Sequence, residues 1–412
     1  MRQLQKITAD TAMSEGLRCA FCNRAPSEGS DLIAGPDVVI CDECVAGCND
    51  LLAESDASNE ETSPEGGDER DVRRETASSR QTFFRILSEG DVADLIATDD
   101  LIDAMEATLP RFSGGEVIQP ARTVLATKGE RDFLAVMPAY LPAGVQKPAI
   151  LGTKLITMFH ENAGLDLPTH LPTVLLFSAD TGALLAVVGG RYITAACTAA
   201  VSAVSAKLLA HDDAGHLAII GSGAHARSHL QALERIFELS SVSVWSPTPE
   251  HQAAFIEEMK SATRVRLDGA DSAGHAVREA DLIVLATSSC DPVIQQEWIR
   301  PGTHVMSVGA CRPDQREMDP ALVKRARLFV DSRATALAES GDVVLGIREH
   351  LFTASHIVGE LGDVIANRVE GRRSPRDVTI FKSLGLAVED VVAADLAYRR
   401  AVTQDAGREL EL

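Results

Sequence analysis

Apolar and polar residues divide the chain into stretches of different character. Residues 53–80 hold a single aliphatic side chain larger than alanine, Val72, among acidic and hydroxyl residues. Such a stretch cannot bury enough apolar surface to offset the entropy of ordering, which predicts a flexible linker. From Phe83 onward the pattern is mixed. Apolar positions at helical spacing predict helices over Ile96–Leu109 and Thr194–Leu209. Short apolar runs predict strands at Val174–Phe177, Leu184–Val188, Leu217–Ile220, Val242–Val244 and Leu282–Leu285. Between about Gly215 and Val330 such runs alternate with helical segments, the pattern of a parallel sheet with crossover helices. No repeat with a period of roughly 20 to 50 residues is present.

A chain of 412 residues has room for two or three domains and an ample core. Its net charge of −21 and 4% aromatic content argue against a basic nucleic-acid-binding surface or a base-stacking platform, so no nucleic-acid partner is expected. No apolar run reaches the roughly 18 residues of a membrane span. The best stretch, Tyr192–Leu209, is rich in alanine and serine and carries Lys207. No membrane is expected. The N-terminus lacks a charged-then-apolar secretory pattern. Eight cysteines in so long a chain suit a reducing compartment, so the cytoplasm is the expected location.

Four of those cysteines carry chemistry. Cys19-Ala20-Phe21-Cys22 and Cys41-Asp42-Glu43-Cys44 are two Cys-x-x-Cys pairs at the separation of a structural zinc site. Each pair aims two thiolates at one point, and two pairs complete a tetrahedron. Cys19, Cys22, Cys41 and Cys44 are therefore the expected Zn2+ ligands. With all four positions filled by protein, the metal is structural.

The second motif lies in the α/β stretch. The apolar run His216–Ile220 leads into Gly221-Ser222-Gly223-Ala224-His225-Ala226 and then into a helical segment from Arg227 to Phe237. This is a dinucleotide fingerprint in its strand–turn–helix context. Gly221 permits the tight turn, Gly223 lets backbone approach a pyrophosphate, and Ala226 allows close helix–strand packing. Ala224 and His225 present amides at the helix start. After the next strand stand Trp245-Ser246-Pro247-Thr248, with Ser246 and Thr248 where an acid would bind a ribose hydroxyl. That favours NADP over NAD. Thr287 and Ser288, after the strand Leu282–Leu285, belong at the same crevice.

Residues from about 82 to 400 resemble the ornithine cyclodeaminase/mu-crystallin family. The resemblance is carried by Gln119-Pro120-Ala121-Arg122, Leu151-Gly152-Thr153-Lys154, Gly164–His170, Thr194–Ala206, the glycine loop, Val308-Gly309-Ala310 and Asp377–Asp390. It implies an α/β fold in which a Rossmann-type NAD(P)-binding domain is inserted in an α/β substrate/dimerisation domain, and a homodimer. It also implies that Arg122 anchors a substrate carboxylate, that Lys154 handles a proton, and that Thr198 and Val308 face the cofactor. The implied activity is that of an NAD(P)-dependent oxidoreductase acting on a C–N bond, an imine or ketimine reductase or amino-acid dehydrogenase, with a small amine, imine or amino-acid-like substrate. That substrate is either free or carried on a polypeptide. The family also contains cyclodeaminases that use bound NAD catalytically, and mu-crystallin-like proteins that bind NADPH without chemistry. Two departures favour reduction or oxidation over cyclisation. Cys197 stands where the family carries an arginine, for which Arg191 is the nearest substitute. Cys311 stands where cyclodeaminases carry an aspartate facing the substrate amine. Both cysteines also suit plain packing.

The N-terminal stretch resembles the zinc-binding domain of the ClpX protein unfoldase. The shared features are the four cysteines, Leu32-Ile33-Ala34-Gly35-Pro36 between the pairs, and Cys48-Asn49-Asp50 after them. No G-x-x-x-x-G-K-[ST] loop of an ATPase follows. The resemblance implies a treble-knuckle-like module that docks a protein or peptide through Phe21, Leu32, Ile33 and Val38, with Cys48 in packing. The expected organisation is residues 1–52 zinc-binding domain, 53–80 acidic linker, 81–210 first part of the substrate domain, 211–333 Rossmann domain and 334–404 return segment.

Overall fold

The computed structural model describes residues 82–412 apart from 128–131, 146 and 166, together with 5–7, 19, 32–34, 39–41 and 44. The chain divides into two compact units, Met1–Ser79 and Arg80–Leu412. The expected linker, and Phe21, Cys22, Val38 and Cys48, lie outside the described residues. In the first unit the strands Gln5–Ile7, Leu32–Ala34 and Val39–Cys41 form an antiparallel sheet in that order. The register pairs Leu32 with Cys41, so the second cysteine pair begins at the end of a hairpin strand.

The second unit holds two sheets. Eight parallel strands run in the spatial order Arg266–Gly269, Ser241–Trp245, His216–Ile220, Leu282–Leu285, His304–Ser307, Thr379–Lys382, Arg327–Val330 and Ile357–Glu360. Leu282–Leu285, His304–Ser307 and Thr379–Lys382 are buried along their whole length because both faces of the sheet are covered, and Leu282–Leu285 reads as an unbroken apolar run. The boundary expected at residue 333 falls too early. The strands Ile357–Glu360 and Thr379–Lys382 belong to this sheet, and Thr379–Lys382 is inserted between two strands from earlier in the chain. Sequence spacing cannot show such an insertion, because the pairing partners are chosen in three dimensions.

The other sheet has seven strands in the order Arg408–Glu411, Phe83–Leu87, Leu184–Gly189, His170–Phe177, Ile150–Met158, Phe133–Leu141 and Thr123–Ala126. The two ends of the unit meet here, since Phe83–Leu87 pairs with Arg408–Glu411. Burial alternates along Phe133–Leu141 and Ile150–Met158, and the helix Ala387–Gln404 packs on these strands.

The helix Gly190–Leu209 packs against the seven-stranded sheet and against the helices Thr98–Ser113 and Ala224–Ile236. It is apolar enough to span a membrane by composition, but it is mostly buried within the fold. Its buried positions are largely alanine, valine and serine, small enough for close approach from several sides. It begins earlier than its own sequence signals predict. The Glu89 carboxylate, from a distant helix, accepts the Arg191 and Tyr192 N–H groups at 2.9 and 2.7 Å. A remote side chain thus satisfies the helix N-terminus. The helix expected over Ile96–Leu109 runs from Thr98 to Ser113, starting later because Ile96 is extended and ends the preceding helix Glu89–Leu95.

Two histidines serve this buried helix. His229 Nδ1 donates to the His225 carbonyl at 2.7 Å, and its Nε2 meets Ser202 Oγ at 2.9 Å. His304 is held between Ser205 Oγ at 3.1 Å and Thr379 Oγ1 at 2.9 Å. Burial pushes both down to about 3, with His225 acting further on His229 and Arg372 on His304. An unfolded histidine takes up a proton near pH 6.5, whereas these stay neutral in the fold. Their contribution is therefore fully present above pH 6.5 and declines as the pH falls toward 3. The decline approaches roughly 1 kcal/mol per pH unit for each histidine. Urea unfolding at pH 7 and pH 5 should show lower stability at pH 5, and His229→Gln should flatten that difference. An unchanged difference in the variant would contradict the assignment.

Candidate active site

A cavity of about 1720 Å³ lies between the glycine loop and the seven-stranded sheet. Every cofactor and catalytic residue expected from the sequence lines it except Ala226. Ala226 is fully buried in the core, where its small side chain sits at the start of the helix Ala224–Ile236. Gly221 has φ +115°, and a Cβ there would run into the Ala286 carbonyl oxygen. A Cβ on Gly223 would instead meet open space. No side chain caps the helix Ala224–Ile236, so its first amides are available to an anion. These features fit a dinucleotide pyrophosphate.

Arg227 went unnoticed in the sequence. Its Nη1 donates to the Ser222 and Gly223 carbonyls at 2.6 and 3.0 Å, while Nε and Nη2 hold Glu258 at 2.9 and 2.6 Å. It braces the glycine loop from the helix that follows it and lines the cavity as well. The rim beyond the strand Ser241–Trp245 carries Ser246, Thr248 and His251. Ser222 Oγ donates to Ser246 Oγ at 3.1 Å, linking the loop to that rim. Among the described lining residues the carboxylates are Glu339, Glu389 and Asp390, grouped around Arg122 and Lys154.

Lys154 projects from the interior strand Ile150–Met158, and its Nζ donates to Asp390 Oδ1 at 2.7 Å. Both side chains are only 6% exposed, so this is a buried ion pair. Burial lifts the Asp390 carboxyl, against the pull of Lys154 and Arg122. Burial, reinforced by Asp331, holds Glu389 well above its ordinary range. Glu389 Oε2 accepts from the Leu386 N–H at 3.2 Å, and its Oε1 has no partner. Burial thus works against charge on both of these adjacent carboxyls, most strongly on Glu389. His170 is pushed down to about 4 by burial first, then by Lys154 and His225. Burial and Lys154 likewise lower His225. The cation facing the cavity at this end is thus a lysine flanked by neutral imidazoles.

Arg122 is partly occupied. Its Nε lies 3.1 Å from Glu339 Oε2, and Nη2 donates to the Leu384 carbonyl at 3.2 Å. Burial raises the Glu339 carboxyl, with Arg122 opposing. The loop that supplies Leu384 is pinned by Asp331, whose Oδ2 accepts the Leu384 and Gly385 N–H groups at 2.5 and 2.7 Å. Cys197 is buried, its thiol donating to the Glu389 carbonyl at 3.7 Å, and burial pushes that thiol well up. Cys311 donates to the Val308 carbonyl at 3.4 Å, and burial raises it too. Neither is an activated thiolate. Arg191 reaches the cavity rim half exposed, 3.6 Å from Glu89.

In the first unit, Cys19 and Cys41 are buried and Cys44 partly so, with their sulfurs within 4.8 Å of one another. Cys19 Sγ and Cys44 Sγ are 3.8 Å apart. That matches the roughly 3.8 Å edge of a tetrahedron with Zn–S bonds of about 2.3 Å. The Cys41 N–H points at Cys19 Sγ at 3.4 Å, a bond that favours a thiolate. The three described sulfurs fit zinc, and Cys22 lies outside the described residues.

The family model of the ornithine cyclodeaminase/mu-crystallin family matches residues 84–405, and that of the ClpX C4-type zinc finger matches residues 17–54. Ketimine reductase mu-crystallin from Mus musculus is 41% identical over 76% of this chain and 96% of its own length. The structure of Thermococcus litoralis Delta(1)-pyrroline-2-carboxylate reductase in complex with NADH and L-proline is 34% identical, with a TM-score of 0.76 over 79% of this chain and 99% of that one. An archaeal alanine dehydrogenase dimer with bound NAD is 28% identical, with a TM-score of 0.75 over 80% of this chain and 99% of that one. The match spans the strands, loops and helices that build the cavity, and the chain belongs to the ornithine cyclodeaminase/mu-crystallin family, with a ClpX-type C4 zinc finger preceding the enzyme body.

Proposed function

We propose that this chain, an NAD(P)-dependent oxidoreductase, reduces the C=N bond of a small imine that carries a carboxylate, a ketimine or cyclic imino acid. The observation that carries this reading is the buried Lys154–Asp390 pair, which lines the same cavity as Arg122 and the glycine loop. The relatives named as ketimine and pyrroline-carboxylate reductases support it. A bound reduced nicotinamide supplies the hydride for the imine carbon. Arg122 holds the substrate carboxylate with the guanidinium edge that Glu339 and Leu384 leave open. Lys154 Nζ delivers a proton to the imine nitrogen, and Asp390 holds that group aimed. The neutral His170 and His225 add no competing cation beside it. Cys311, tied to the Val308 carbonyl, offers no carboxylate to an ω-ammonium group, which favours reduction over cyclodeamination.

The preferred cofactor in this reading is NADP(H), since Ser246, Thr248 and His251 form the rim and no carboxylate there repels a 2′-phosphate. The chain works as a homodimer in the cytoplasm. Support for the dimer comes from exposed apolar residues of the substrate domain, Ile118 at 65% and Leu125 at 64% on or beside its edge strand, and from the dimeric alanine dehydrogenase relative. The zinc module docks a protein or peptide partner, a reading supported by its likeness to the ClpX finger.

Lys154→Ala should lower kcat for a cyclic ketimine acid by about 10²- to 10⁴-fold while nucleotide binding persists. Arg122→Leu should act chiefly on the KM of carboxylate substrates. Undiminished turnover in Lys154→Ala would remove the mechanism. Ammonia release from ornithine with no net nucleotide change would replace it with cyclodeamination. Cys41→Ser should reduce bound zinc by about one equivalent per chain, read by metal analysis, with ketimine turnover by the body retained.

A further inference from the structure

Under the cavity floor, one buried carboxylate gathers the loops from which the floor is made. Glu317 has no solvent exposure. Its Oε1 accepts from the Thr287 N–H and the Thr287 hydroxyl, each at 2.8 Å. Its Oε2 accepts from the Ser307 hydroxyl at 3.0 Å, the Gly309 N–H at 2.8 Å and the Ala310 N–H at 3.2 Å. Thr287 follows the strand Leu282–Leu285, and Gly309 follows the neighbouring strand His304–Ser307. Both residues line the cavity.

Glu317 is itself held in place. Asp342 Oδ1 accepts the Glu317 and Met318 N–H groups, each at 3.1 Å. Lys382 Nζ donates to Ser307 Oγ at 3.2 Å and lies 3.8 Å from Asp342 Oδ2. The fit leaves no slack, since a Cβ on Gly309 would run into the Thr287 carbonyl oxygen and Glu317 Oε1.

The order of strands says which part of the ligand these loops meet. In an open parallel sheet a dinucleotide lies across the carboxyl ends of the strands. Its adenosine end is read after the strand Ser241–Trp245, and its pyrophosphate sits at the glycine loop after His216–Ile220. The remaining half then falls over the ends of Leu282–Leu285 and His304–Ser307, next in the sheet. We propose that Glu317 is the positioning residue of that half, fixing the Thr287 and Gly309 loops in the geometry that receives the nicotinamide. This rests on the dinucleotide reading of the cavity given above.

The chemistry of the residue is forced by its partners. Three of the five donors are backbone N–H groups, which cannot be turned to accept. A glutamine amide placed there has one oxygen, so its NH₂ faces either the Thr287 N–H or those of Gly309 and Ala310, whichever way it is turned. A carboxylate alone accepts on both sides. Glu317→Gln therefore leaves at least one buried backbone donor opposed, and the loop it belongs to must move.

The test measures NADPH and NADH binding to the full-length protein by fluorescence, with circular dichroism as the check on folding. Glu317→Gln should raise the nucleotide Kd by about tenfold. Substrate KM at saturating nucleotide should stay within about twofold, and Glu317→Asp should recover part of the loss. A folded Glu317→Gln that binds both nucleotides as the wild type does, whatever its melting temperature, would overturn the proposal and reduce Glu317 to a stability role. If Glu317→Gln does not fold, Ser307→Ala is read instead. It removes one of the five donors and should raise Kd by about threefold, and an unchanged Kd overturns the proposal there too. A wild-type protein that binds neither nucleotide is a different failure, which removes the dinucleotide reading and the proposal with it.

Discussion

An ammonium group removed from water into a protein interior costs several kcal/mol unless a counter-charge meets it at good geometry. The Lys154–Asp390 pair meets that condition at 2.7 Å with both partners buried. The constraint reaches well beyond the two residues. Lys154 stands on an interior strand of the seven-stranded sheet, while Asp390 stands on a helix near the other end of the unit. The pair can form only when the C-terminal helix has packed on the sheet. Positioning the lysine and closing the domain are then one event. Removing Asp390 alone would strand a buried cation, so the pair couples the site's chemistry to the stability of the domain around it.

Other carboxylates in the unit follow the same rule, whether buried, as Asp331 and Glu317 are, or partly exposed, as Glu89 is. Asp331 is satisfied by loop amides before the C-terminal helix, Glu317 by five donors beneath the cavity, and Glu89 by the first amides of the helix Gly190–Leu209. Each carboxylate lies next to a segment that lines the cavity, and each replaces water that a backbone N–H would otherwise require. The cavity walls are loops and helix ends, which have many unpaired amides. Acidic side chains arriving from behind hold them. This gives an acidic protein a structural use for some of its carboxylates that its net charge does not reveal.

These carboxylates also mark the limit of what was legible in the sequence. The glycine loop was readable because its logic is local. A strand, a turn needing positive φ at Gly221 and a helix start all fall within a few residues. Lys154 and Arg122 were named through the family resemblance, and the structure brings both to the cavity. Their partners Asp390 and Glu339 were not foreseen, because each arrives from more than 200 residues away in sequence. The early start of the helix Gly190–Leu209 was missed for the same reason, since its cap is supplied by Glu89 and not by a neighbouring side chain. The Rossmann boundary failed because the strand Thr379–Lys382 enters the sheet between strands laid down earlier. Local rules found the elements, and long-range pairing decided their company.

Charge distribution finally distinguishes the cavity from the surface around it. The whole chain carries −21, yet Arg122, Lys154, Arg191, Arg227 and Arg312 all line one cavity. Each has a carboxylate within reach, in Glu339, Asp390, Glu89, Glu258 and Asp314. Such pairing keeps the cavity from accumulating unscreened positive charge in a low-dielectric space. It also means that an anionic ligand enters by sharing these cations and not by meeting bare ones. Affinity then depends on geometry more than on charge. A planar anion that fits the open edge of Arg122 would gain more than a bulky anion of equal charge. Discrimination among anions by shape follows from a site whose charges are already balanced.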